Sequence, residues 1–157
     1  MPRLYVAIIG ADESATDVNL RDAYSAGAWL ARRQVIVVTG GLGGVMGAAA
    51  DGVASEDGMV VGLLPGTDRV AAHRSVTIAI PTGLGELRNG LVVRCADAVL
   101  AIGGSWGTLS EIALAMRTGV PLVAIGSPIP AELSVSQAAT VEEALPLVLA
   151  AAQKDHR

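Results

Sequence analysis

The sequence predicts an α/β protein: a Rossmann-like, doubly wound parallel sheet in a three-layer α/β/α arrangement. Three observations carry this. Short, almost wholly apolar runs alternate with longer helical patterns, as expected for strands of a sheet covered on both faces. Hydrophobic residues make up 52% of the 157, yet aromatics are only 3% and Phe is absent, so the core is aliphatic. Two glycine-rich stretches directly follow apolar runs and open helical ones. The length suits a single domain, taken as residues 1–157 with a polar tail over 153–157.

Residues 4–9 form the first strand-like run, which ends at Gly10. Asp17 reads as the cap of a helix reaching about Arg33, with Leu20, Ala23, Tyr24, Gly27 and Leu30 on one side. Further strands are expected over residues 35–38, 59–63, 76–80, 98–102 and 120–125. Helices are expected over 48–55, 84–95, 108–118 with Gly119 as the stop, and 141–152, which contains Pro146. Residues 64–75 and 127–136 read as irregular. The first of these carries Asp68, Arg69, His73 and Arg74, and is either a lid over a ligand or a solvated surface loop. Crossovers between parallel strands should be right-handed.

Composition narrows the function. One cysteine, Cys95, excludes an internal disulfide and fits a cytoplasmic protein. His73, His156 and Cys95 are too few for an ordinary His/Cys centre, so no metal is expected. A net charge of −4 with no run of Lys or Arg disfavours nucleic acid as a partner. No window approaches the ~18 apolar residues of a membrane helix.

The chemistry is expected where strands end. In open α/β sheets, ligands sit beyond the carboxyl ends of the strands. Gly103-Gly104-Ser105-Trp106-Gly107 separates a buried strand from a helix opening at Thr108. The first amides of that helix lack intrahelical acceptors and carry the positive end of its dipole, so they suit a phosphate. Gly40-Gly41-Leu42-Gly43-Gly44-Val45-Met46-Gly47 repeats the design after another strand. Glycine after a strand is also an ordinary turn residue, but two such loops in one small domain favour a binding site. Neither loop is a P-loop, and Gly10-Ala11-Asp12-Glu13-Ser14 is not the dinucleotide fingerprint. Gly103 to Gly107 also fits the Gly-x-Ser-x-Gly elbow of serine hydrolases. The only downstream histidine is His156, in the tail, so a catalytic base is missing.

Two charged residues stand out. At about 100° per residue, Leu84, Leu87, Leu91, Val92 and Cys95 share a stripe, and Arg88 falls inside it. An inward guanidinium needs a carboxylate, a phosphate or carbonyls; the alternatives are a structural ion pair or a snorkelling side chain. Thr108-Leu109-Ser110-Glu111 has the form of a capping box, so Glu111 either caps its own helix or works at the site.

Taken together, these motifs resemble the Lonely Guy (LOG)-like family, also called lysine decarboxylase-like. Gly43-Gly44-Val45-Met46-Gly47 fits its first glycine loop. Arg88-Asn89 fits its Arg-Lys pair, and Gly103 to Glu111 fits its Pro-Gly-Gly-x-Gly-Thr-x-x-Glu. The resemblance covers about residues 4–125. It implies phosphate or ligand binding by Gly10, Gly40, Gly41, Gly43, Gly44, Met46, Arg88, Asn89, Gly103, Gly104, Ser105, Trp106, Gly107 and Thr108. It also implies that such proteins hydrolyse nucleoside 5′-monophosphates to base and ribose 5-phosphate, with Arg88 and Glu111 as the catalytic pair at the sugar. Gly103, Ser105 and Asn89 depart from that pattern and look more like a short sister group that includes molybdenum-cofactor carrier proteins. For that group the resemblance implies a bound phosphorylated pterin, no chemistry, no required cofactor, and the molybdenum cofactor as cargo. The partner is then a small phosphorylated ligand, a nucleoside monophosphate or a pterin phosphate. The family also implies a homodimer or homotetramer. Trp106 either stacks on a ligand ring or packs at a subunit interface.

Overall fold

The computed structural model describes residues 2–154. Its centre is a seven-stranded, wholly parallel sheet in the order β4-β3-β2-β1-β5-β6-β7. The strands are β1 (Tyr5–Gly10), β2 (Ile36–Thr39), β3 (Val60–Leu64), β4 (Ile78–Pro81), β5 (Ala98–Ile102), β6 (Leu122–Ile125) and β7 (Ser136–Ala138). The helices are α1 (Asp17–Ala31), α2 (Gly44–Ala54), α3 (Arg88–Arg94), α4 (Trp106–Thr118) and α5 (Val141–Lys154). The doubly wound α/β expectation holds.

Alternate residues of the central strands feed two separate cores. Val6, Ile8, Val37, Leu100 and Ile102 pack under α1, α2 and α5. Ala7, Ile9, Val38, Val99 and Ala101 pack under α3 and α4. Burial on both faces is why these strands read as unbroken apolar runs. The chain runs from β1 outward to β4, then returns to place β5 on the other side of β1. That reversal opens a crevice beyond the ends of β1 and β5, the usual ligand position in such sheets.

Several local expectations are corrected. The cap of α1 is Thr16, not Asp17. The Thr16 hydroxyl accepts from the Asn19 amide and the Asn19 side chain accepts from the Thr16 amide, both at 3.1 Å. Tyr24 faces solvent, while Ala23, Gly27 and Leu30 are buried. β7 was not expected, and it starts at Ser136, the last residue of a stretch read as irregular; it is a short edge strand with two exposed residues out of three, so no apolar run marks it. α2 starts at Gly44 rather than Ala48, which makes the second half of its glycine loop the first helical turn. α5 runs through Pro146, with Thr140 accepting from the Glu143 amide at its start. Of the polar tail, Gln153 and Lys154 belong to α5, and residues 155–157, His156 among them, lie outside the described residues.

The segment over 84–95 holds the largest correction. It comprises a 3-10 turn (Gly85–Leu87) and then α3. Leu84, Leu87 and Leu91 face solvent, as does Cys95, and only Val92 of the expected apolar stripe is buried. The inner face is Arg88, Asn89, Val92 and Val93. The polar pair points inward because it lines a cavity.

A candidate anion-binding site

That cavity, of about 180 Å³, sits in the crevice between β1 and β5. Gly10 and Asp12 line it from the end of β1. Gly40, Leu42 and Met46 come from the loop after β2 and the start of α2, Arg88 and Asn89 from α3, and Ser105, Gly107, Thr108 and Glu111 from α4. Residues far apart in sequence thus converge where the strand order reverses.

Arg88 is the pivotal side chain. It is 9% exposed. Its Nη1 donates to Asn89 Oδ1, and its Nη2 donates to the Gly40 carbonyl at 3.4 Å. Its Nε is buried and has no protein acceptor. Burial pushes the guanidinium down from its ordinary value, and the nearby Glu111 carboxyl partly offsets this. Gly40 makes room for it: a Cβ there would lie 2.8 Å from Arg88 Nη2 and 2.6 Å from Met46 Sδ. An Arg is always charged, and a buried donor without an acceptor is costly. Arg88, which lines the cavity, is the cation that an anion there would meet.

The start of α4 supplies the second anion-directed feature. Ser105 is its N-cap, and the Ser105 amide donates to Thr108 Oγ1 at 3.3 Å. The amides of Trp106 and Gly107 lie in the first turn, beyond reach of intrahelical acceptors. They bring the positive end of the helix dipole to Ser105 and Gly107, which line the cavity. The capping pair is therefore Ser105 with Thr108, not Thr108 with Glu111. The helix begins two residues earlier than expected, which moves the box by one turn. Glu111 is 8% exposed and faces the cavity.

Desolvation pushes the Glu111 carboxyl up to about 7, against the downward pull of Arg88. The native state therefore holds a proton there that the unfolded chain, with an ordinary carboxyl, loses at lower pH. Stability from this group is full below the unfolded value of 4.5 and is lost as pH rises through about 7. The loss should reach about 3 kcal/mol by pH 8, and Glu111→Gln should abolish it. Urea titrations of both proteins from about pH 5 to pH 8 check this; parallel pH profiles would contradict it.

Not every expected residue reaches the cavity. Gly41, Gly43, Gly44, Gly103, Gly104 and Trp106 are outside its lining. Gly44 has φ +58° and sits where a Cβ would meet the Ala11 carbonyl at 2.4 Å, and the Val45 amide is already bonded to that carbonyl. The start of α2 thus docks on the chain after β1. Trp106 is 87% exposed and is shared by two apolar depressions. One is walled by Leu109, Pro128, Ile129 and Pro130, the other by Leu87 and Leu114. Residues 64–75 do not line the cavity; His73 ties them down through its amide to the Gly41 carbonyl at 2.8 Å. Asp12, Ile8, Ile9 and Leu42 were not singled out from sequence. For Asp12 the signal was an acidic residue two positions past a strand-ending glycine. Among the described residues, no group of three or more His, Cys, Asp or Glu could hold a metal ion. None of their helices is long and apolar enough to cross a membrane.

The model of the SLOG cluster4 family matches residues 3–155. The chain belongs to that family. Its sequence is 36% identical over 129 residues to an uncharacterized protein of Archaeoglobus fulgidus, covering 82% of this chain and 84% of that one. The fold of this SLOG cluster4 member is similar to that of the molybdenum cofactor binding protein from the phototrophic bacterium Rippkaea orientalis. The two share 31% identity with a TM-score of 0.90, over 96% of this chain and 98% of that one. It is also similar to the molybdenum cofactor carrier protein of Chlamydomonas reinhardtii, with 28% identity, a TM-score of 0.87, and 96% and 98% coverage. These neighbours support ligand binding in this group, with a LOG-like Rossmann fold.

Proposed function

We propose that this protein binds a small phosphorylated ligand in the cavity between β1, α3 and α4, as a carrier-type protein without chemistry of its own. The observation that carries this is the buried Arg88, whose Nε lacks a protein acceptor and which lines a cavity at a helix N-terminus. The cavity is small enough that the phosphate end is enclosed and the remainder of the ligand lies outside. The molybdenum cofactor, a phosphorylated pterin, is the cargo that the structural neighbours suggest. It fits the donor set through its phosphate. Solution in the cytoplasm is the setting we assign.

Hydrolysis of nucleoside 5′-monophosphates is the second reading, favoured by Arg88 and Glu111 facing one cavity. A carboxyl titrating near 7 is only partly ionised at neutral pH, which weakens it as a stabiliser of a cationic sugar. Incubation of the purified protein with adenosine 5′-monophosphate should release no adenine, while the ligand raises the melting temperature. Adenine released by the wild type, and lost in both Arg88→Ala and Glu111→Ala, would establish the hydrolase instead.

Self-association is the third part of the proposal. Leu87, in the turn before α3, and Trp106, at the start of α4, line one apolar depression and are 80% and 87% exposed. Leu84 and Leu91 are exposed as well. A second copy would cover them. Size-exclusion chromatography with light scattering should give an even multiple of 15.8 kDa. A species at the single-chain mass would refute the dimer or tetramer.

A further inference from the structure

Glu111 poses a problem of charge at the anion site. Among the described residues, no group donates a hydrogen bond to its carboxyl. The one cation beside it is Arg88, whose Nη groups are held by Asn89 Oδ1 and the Gly40 carbonyl. The Asn89 amide nitrogen is turned to Ser110 Oγ, at 3.5 Å. Asp12, on the chain after β1, places a second carboxyl on the same cavity. The walls from α2 and its loop, Gly40, Leu42 and Met46, bring no titratable group. A dianionic phosphate entering here would meet one guanidinium and two carboxyls.

We propose that Glu111 takes up a proton when the anion binds and donates it in a hydrogen bond to an anion oxygen, so that binding and protonation are one coupled event. This rests on the anion-site reading above. The balance is simple: one proton passes from solvent to a Glu111 carboxylate oxygen, and no covalent bond to the ligand forms or breaks. A protonated carboxyl is a donor, whereas an ionised one only accepts and repels phosphate. Burial has already brought Glu111 to the edge of this change, since it holds the carboxyl near 7. An anion alongside pushes it further in the same direction. Glu111 then selects for a ligand with acceptor oxygens, and affinity falls as pH rises, so an alkaline shift releases the ligand.

The test uses inorganic sulfate, which stays dianionic across the working pH range. Carbon-detected NMR of the side-chain carboxyls, with Glu111 assigned by its absence from Glu111→Gln, is followed from about pH 5 to pH 9 with and without saturating sulfate. The Glu111 midpoint should rise by about one unit or more on saturation. Sulfate affinity of the wild type should fall by roughly tenfold per pH unit between the two midpoints, and Glu111→Gln should bind without that dependence. A midpoint that stays put or drops, or a Glu111→Gln protein with the wild-type pH profile, overturns the proposal. If sulfate moves none of the backbone amides over residues 104–108, the anion site itself fails and the proposal falls with it. A midpoint shift without any sulfate-induced amide shift cannot arise from coupled binding and counts against it equally.

Discussion

Arg88→Ala is expected to weaken binding of a phosphate-bearing ligand by about 10- to 100-fold. The guanidinium borders the cavity, and its Nε has no protein acceptor. A charge-assisted hydrogen bond to an anion contributes about 1.5–3 kcal/mol, and truncation forfeits it. Arg88→Lys should recover only part of the affinity, because a point charge cannot reproduce the planar fork. The fold should tolerate the change. Truncation removes two hydrogen bonds, to Asn89 and Gly40, together with a buried donor that had no partner. A melting temperature near that of the wild type would place the loss at the site. Calorimetric titration with adenosine 5′-monophosphate as the probe reads the effect. Equal affinity in wild type and Arg88→Ala would remove Arg88 from the binding role.

Gly52→Ala is expected to destabilise the fold by about 3 kcal/mol, beyond an ordinary surface change. Helices α1 and α2 meet through their backbones. A Cβ on Gly52 would lie 2.0 Å from the Tyr24 carbonyl oxygen and 3.0 Å from the Ala28 amide nitrogen. Gly27 faces back, with a Cβ position 2.2 Å from the Ala49 carbonyl oxygen. These neighbours are main-chain atoms inside helices, so no side chain can swing aside. The helices must separate, and the aliphatic core beneath them loses contact. For a domain of this size the melting temperature should drop by roughly 10 °C. Gly27→Ala should do the same, and the double variant should cost less than the two added, since both force one separation. A drop of under about 2 °C would contradict this close approach.

What the sequence disclosed follows from where each signal comes from. The six longer strands were legible as apolar runs: the central ones are buried on both faces, and the edge strand β4 is apolar although Ile78 and Ile80 are exposed. Strand β7 was not, because Ser136 and Gln137 on an exposed edge carry no such pattern. Helix α3 was misjudged on its packing face. Amphipathic reasoning turns the apolar stripe inward, but here Arg88 and Asn89 are held inward by the cavity and Leu87 and Leu91 are left outside. Arg88 was expected inward as part of that stripe; it does point inward, although most of the stripe does not. At Glu111 a four-residue rule competed with the true helix start. The Ser105 cap shifts the box by one turn and frees the carboxyl for the cavity. The convergence of Arg88 and Glu111 was legible only through resemblance to a family motif. No spacing rule links a helix on one side of β5 in sequence to a helix on the other. Asp12 shares the cavity through the β1–β5 crevice, which exists only once the strand order is known.

The most direct test of the anion site is a nitrogen–proton NMR titration of the protein with inorganic phosphate. The backbone amides of Trp106, Gly107 and Thr108 should shift saturably, and the same shifts should be lost or strongly weakened in Arg88→Ala. Shifts confined to other surfaces, or identical in the variant, would contradict an anion site built on Arg88 and the start of α4.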